Sequence, residues 1–186
     1  MNIKLVFYTG NYIIRLRNKN ISQILLFRKR EKMRHKRTGT TYQWPTEKMV
    51  QHITQLGCNL APVGYQHPKK DKKNPDSNIE WEVFFTKAEQ YMTRNFQHPK
   101  IRVYMFSLLM LKCHFERFDG LREKHIRHAL YWLLEKNPVD WTEENVGEKF
   151  MDLWFHMKTR LSKRSMPNFF IQRNNMFSNV PNHRLR

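Results

Sequence analysis

Apolar residues recur with the period of a helix along most of the chain from Trp44 onward, and with the period of a strand at one place. The strand is Trp81–Phe85, where Ile79, Trp81, Val83 and Phe85 alternate with other residues. It runs straight into Thr86-Lys87-Ala88-Glu89, whose Thr and Glu have the spacing of a capping box. A helix is therefore predicted from Lys87 to about Asn95, with Ala88, Tyr91 and Met92 turned inward. An earlier helix is predicted over Thr46–Leu56, its face formed by Met49, Val50, Ile53 and Leu56, with Pro45 at its entry and Gly57 at its exit. Cys58–Val63 reads as a short extended piece, and Gln66–Ser77, with Pro68 and Asn74-Pro75-Asp76, as a loop.

Three longer helices follow. His98-Pro99 opens the first, and from Val103 to Phe115 apolar residues lie almost all round it, which predicts a central, buried helix. The second spans about Leu121–Lys136, with Ile126, Ala129, Leu130, Leu133 and Leu134 as its core stripe and Asn137-Pro138 as its stop. The third starts at Thr142, with Glu143 and Glu144 favourably placed in its first turn. Its apolar face is Val146, Phe150, Leu153, Trp154, Met157 and Leu161, and Phe150 and Trp154 are expected in the core with Leu130 and Leu134. Pro167 ends it, and Asn168–Phe177 is an aromatic-rich closing segment. The expected fold class is mainly α, a helical bundle lobe with one short strand element. The domain plan is a basic N-terminal extension over 1–40, the helical lobe over 44–177 and a basic tail over 178–186.

Charge changes this picture. The 186 residues hold 34 Lys and Arg against 16 Asp and Glu, a formal net charge of +18. Such a field favours nucleic acid, phosphate-rich ligands or anionic surfaces. Much of it comes from the first forty residues, where Lys4–Arg37 contains one acid, Glu31. The apolar patches Leu5–Tyr8 and Ile21–Phe27 are too short to span a bilayer. A transit peptide, a basic amphipathic arm and an extension outside any fold all fit this segment, the last best. The run Arg28–Arg37 fits a nuclear-localisation or nucleic-acid patch as well as a solvated surface. Two cysteines, Cys58 and Cys113, make no disulfide framework and point to an intracellular, reducing location, cytoplasm and nucleus being equally compatible.

Several short motifs resemble, in order, those of the male-abnormal-twenty-one (Mab) family, which includes cyclic GMP-AMP synthase. They are Trp44-Pro45, Gly57-Cys58 with Pro62-Val63-Gly64, Glu80–Glu89, His125-Ile126-Arg127, Glu135–Pro138 leading to Trp141, and Met166–Phe170 with Asn175-Met176-Phe177. The resemblance covers about Trp44–Phe177 and implies the helical C-terminal lobe of that family. Active members carry, before the Trp-Pro motif, a nucleotidyltransferase core with a Gly-Ser turn and three acidic residues holding two metal ions. This chain has no Gly-Ser dipeptide, and Glu31 is its sole acid before Trp44. The core is therefore expected to be missing and the chain not to be an enzyme.

The resemblance also implies where a nucleotide would be held, and there the chain departs from it. The aromatic ring that stacks on a base falls at Lys124, and an upstream lysine falls near Ser107. Arg127 keeps the charge of a family lysine. Candidate phosphate or nucleic-acid contacts are Arg122, Lys124, Arg127, Lys158, Lys163 and Arg164. Lys69, Lys70, Lys72, Lys73 and Arg160 scatter further charge over the chain. No catalytic, cofactor or metal site is expected. His125 and His128 share a helical face and Cys113-His114 precede them, but a structural zinc wants four well-placed ligands. The segment matching the family's zinc loop, Asn95–Pro99, has no cysteine, and Cys113 is expected to be a small buried residue. Two readings follow: a non-catalytic interaction or scaffold module with a protein partner, or a nucleic-acid-binding fragment of a cyclic GMP-AMP synthase-like receptor.

Overall fold

In a computed structural model the described residues are 41–64, 79–115 and 120–178, with the backbone alone at 41, 60–64 and 79–82, and the backbone of the strands at 5–9, 12–16 and 33–34. The side chains of Ile79 and Trp81, of Lys69, Lys70, Lys72 and Lys73, and of Arg28–Arg37 lie outside the described residues, as does 179–186. The architecture is mainly α. Among the described residues five helices, α1 (Glu47–Leu56), α2 (Thr86–Arg94), α3 (His98–Phe115), α4 (Glu123–Lys136) and α5 (Val146–Ser162), build the lobe.

The strands pair two by two and antiparallel. β1 (Leu5–Thr9) pairs with β2 (Tyr12–Leu16), and β3 (Met33–Arg34) with β4 (Thr41–Tyr42). The expected extended piece and the expected strand meet: β5 (Asn59–Gly64) pairs with β6 (Ile79–Phe84), Asn59 opposite Phe84 and Gly64 opposite Ile79. Pro62, which has no N–H to give, is tolerated because, among the described residues, β5 pairs along one edge only, with β6.

Local chemistry sets the helix ends. Thr46 caps α1, its hydroxyl accepting from the Met49 N–H at 3.3 Å, and Gly57 closes the helix at φ 67°, where a Cβ would be strained. The expected capping box of α2 does not form. Phe85 is the residue before the first turn, Thr86 is already helical, and Glu89 turns its carboxylate into the lobe. α5 starts at Val146, later than expected, because Asp140 at φ 64° and the turn closed by Asn145 N–H on the Thr142 carbonyl hold the preceding residues out of the helix.

α4 is the central helix. His125, Ile126, His128, Ala129, Leu130, Tyr131, Leu133 and Leu134 are all buried. Leu153 and Met157 of α5, Ala88 and Met92 of α2 and Val103 of α3 complete the apolar core. Phe150 and Trp154, expected at its centre, are half-buried at its edge, where Trp154 stacks on Phe115 with ring centroids 5.2 Å apart. An aromatic cluster joins the start of the lobe to its end: Trp44 lies 5.7 Å from Tyr131 and 5.9 Å from Phe169, and Phe85 stacks on Phe170 at 4.8 Å. Each fully buried large side chain contributes about 1.5–3 kcal/mol.

α3 is not the central helix its composition suggested. Val103, Tyr104 and Ser107 are buried, while Met105, Phe106 and Leu109 are 51–59% exposed. Cys113, expected to be buried, is exposed. α3 lies along α5, with Arg102 on Glu143 near its start and Phe115 on Trp154 at its end, so the two helices run in the same sense.

The closing segment is a folded loop. The Asn168 side-chain oxygen accepts the N–H groups of Phe170 and Ile171, and that of Asn175 accepts those of Met166 and Phe177. These two asparagines reinforce an antiparallel bridge between Pro167 and Asn175, in which the Met176 N–H donates to the Met166 carbonyl and the Asn168 N–H to the Asn174 carbonyl, both at 2.8 Å.

Candidate functional site

The densest polar cluster lies where α2, α3 and α4 meet. Arg127, one turn into α4, is its hub. Its guanidinium donates to Glu89 Oε2 at 2.6 Å, to Glu123 four residues earlier, and to the Tyr104 hydroxyl at 3.2 Å. The same hydroxyl donates to Glu123 Oε1 at 2.8 Å. The other oxygen of Glu89 faces His128 Nε2 at 3.2 Å, and the Tyr131 hydroxyl donates to the Glu89 carbonyl at 3.1 Å.

The electrostatics follow from this closure. Burial works against the Glu89 carboxylate, but its hydrogen bond from His128 and the Arg127 charge outweigh burial and hold its pKa below the ordinary value. Burial raises Tyr104 to about 12, and Glu123 pushes the same way. Arg127 stays charged, its pKa raised by Tyr104 and Glu89 against the pull of burial. The cluster satisfies itself. Each Glu89 oxygen is occupied, and Arg127 is divided among three partners.

Two buried histidines clip the closing loop to α4. His125 Nδ1 accepts the Arg122 N–H at 2.9 Å, so Nε2 carries the proton and donates to the Met176 carbonyl at 3.3 Å. His128 Nδ1 accepts the Phe169 N–H at 2.9 Å, so its Nε2 proton points at Glu89. Both rings are neutral in this arrangement. Burial lowers the His125 pKa to about 4, with nearby Lys124 and His128 adding to the shift. Burial lowers His128 too, although Glu89 pulls it back. Both nitrogens of each ring are taken by protein groups, which leaves neither histidine a lone pair for a metal. Among the described residues no three His, Cys, Asp or Glu side chains converge to hold a metal ion.

The candidate phosphate contacts fall into two groups. Arg122, Lys124 and Arg127 share the start of α4: Arg122 and Lys124 are exposed, whereas the Arg127 side chain is 21% exposed and ion-paired. Lys158, Lys163 and Arg164 are exposed around the end of α5, with Arg164 at φ 48° and its carbonyl held by Asn175. Glu89, Tyr104 and Glu123, partners of Arg127, were not singled out from the sequence as a cluster. The i,i+4 spacing of Glu123 and Arg127 was the one local signal available. Glu89 was misleading because its spacing from Thr86 matched a cap.

A second feature is apolar. Met105, Phe106 and Leu109 on α3 and Met151 and Phe155 on α5 face solvent, Met151 at 64% and Phe155 at 72% exposure. Surface helices ordinarily carry polar residues there, and contiguous exposed apolar faces mark interaction sites.

Residues 105–186 match the model of the Mab-21 protein HhH/H2TH-like domain. That span takes in most of α3, all of α4 and α5 and the closing loop, and it is the C-terminal lobe that the motifs from His125 to Phe177 resembled.

Proposed function

We propose that this chain acts as a protein-interaction or scaffold module, without catalytic activity of its own. The observation that carries the reading is the pairing of two features: a polar cluster closed on itself and an apolar outer face left open on α3 and α5. A lobe holding nucleotide would keep charged groups free to meet phosphate. Here the most enclosed cation of the candidate set, Arg127, is spent on Glu89 and Glu123. Two free thiols, Cys58 and Cys113, support an intracellular setting.

The exposed Lys158, Lys163 and Arg164 support a second reading, a nucleic-acid-binding fragment like the sensing branch of the cyclic GMP-AMP synthases. Incubating the full chain with ATP, GTP and magnesium or manganese, with and without duplex, tests the non-catalytic reading. No cyclic dinucleotide is expected. Metal-dependent product that survives Glu31→Gln would overturn it.

A further inference from the structure

The outer face of α5 has a symmetry that its inner face lacks. Glu148, Met151, Phe155 and Lys158 are spaced three, four and three residues apart, which puts them on one side of the helix. The order reads acid, apolar, apolar, base, and it is palindromic about the level of Leu153. Turned end for end, the same stripe sets Glu148 against Lys158 and Met151 against Phe155. All four are exposed: Glu148 has a side-chain exposure of 66% and gives one oxygen, Oε1, to Lys149, Met151 and Phe155 are the most exposed large apolar residues described, and Lys158 is exposed. The inner face is different in kind, with Leu153 and Met157 fully buried and Lys149 held by Glu148 and Asp152 at 3.2 and 3.5 Å.

We infer that this stripe docks on the same stripe of a second copy of the chain, antiparallel and two-fold. A self-complementary patch is what an isologous dimer requires. Each pairing forms twice across the dyad, so two Glu148–Lys158 pairs flank an apolar centre of Met151 and Phe155. Antiparallel α5 helices also oppose their dipoles. The acid at one end decides against a plain anionic surface as the occupant: a membrane would meet Lys158 well but Glu148 badly. The inference rests on the interaction-module reading and names its partner.

The test is sedimentation velocity on the full chain over a range of micromolar concentrations, at an ionic strength that screens the long-range repulsion of the +18 charge. A concentration-dependent dimer is expected. Phe155→Glu should lose it while keeping the helical circular dichroism and melting transition of the parent chain. Glu148→Lys alone and Lys158→Glu alone should each be monomeric, because each brings like charges together twice. Mixing these two variants in equal amounts should restore a dimer, since both charge pairs then match across the heterodimer. A parent chain that stays monomeric, or a mixture that does not recover, overturns the proposal. So does a dimer that survives Phe155→Glu, which would place the contact elsewhere. Flotation with phosphatidylserine vesicles that is lost on Phe155→Glu would assign the face to a membrane instead. None of these outcomes touches the nucleotide-turnover assay, so a failed dimer and a failed non-catalytic reading remain separable.

Discussion

At the scale of single residues, three side chains hold the buried polar contacts of α4: Glu89, Arg127 and His125. Glu89→Leu takes a carboxylate from a group 18% exposed and leaves both the His128 Nε2–H and part of the Arg127 fork without an acceptor. Urea unfolding should show a loss of about 2–3 kcal/mol. Glu89→Leu with Arg127→Leu should recover part of it, because the unpaired charge is then gone. Recovery of nothing would mean that the shape of the pair, not its charge, sets the cost. His125 gives the pH dependence. Its folded pKa is about 4 against an ordinary 6.5, so between these values the unfolded chain binds the proton more readily. The stabilisation is complete above pH 6.5 and is lost as pH falls toward 4, about 3 kcal/mol in all. Glu89, whose folded pKa is also lowered, adds a loss in the same direction at lower pH. Urea midpoints measured from pH 7 to pH 4 should fall steeply, and His125→Gln should flatten the slope while being less stable at neutral pH. A flat profile for the parent chain would show that His125 titrates freely in the fold.

At the scale of elements, the helical stripes were legible wherever one face alone was apolar. The α4 stripe Ile126, Ala129, Leu130, Leu133 and Leu134 is buried as its period required, and the β6 alternation did mark a strand. Periodicity failed where a helix is apolar all round, because it cannot tell a buried helix from one with an uncovered interaction face; α3 is the second kind. It failed again on the long apolar face of α5. Six apolar residues cover more arc than one neighbour can bury, so Leu153 and Met157 took the centre while Phe150 and Trp154 took the flank. The polar cluster was illegible for a different reason. Glu89 and Arg127 are brought together by tertiary packing, and no short-range spacing records that. These placements order the stabilities. Leu153→Ala should cost about 2–5 kcal/mol and Trp154→Ala no more than that, despite the larger ring. Thermal melts of the two variants would contradict this placement if Trp154→Ala were clearly the worse.

At the scale of the whole molecule, the question is which surface uses the charge. The lobe carries most of the carboxylates of the chain, whereas Lys4–Arg37 concentrates positive charge around Glu31 alone. Binding to a duplex through phosphate contacts falls steeply with salt, because each neutralised phosphate releases counterions. If the lobe is an interaction module, such binding belongs to the basic run Arg28–Arg37 and not to the end of α5. The most direct measurement is an electrophoretic shift of a DNA duplex at two salt concentrations with three full-length proteins. They are the parent chain, a variant with the Lys and Arg of the run Arg28–Arg37 replaced by glutamine, and a variant with Lys158, Lys163 and Arg164 replaced by glutamine. The first replacement should remove most of the binding and its salt slope, and the second should leave both close to the parent. If instead neutralising Lys158, Lys163 and Arg164 abolishes the shift while the other variant binds normally, the lobe is a nucleic-acid surface and the interaction-module reading is wrong.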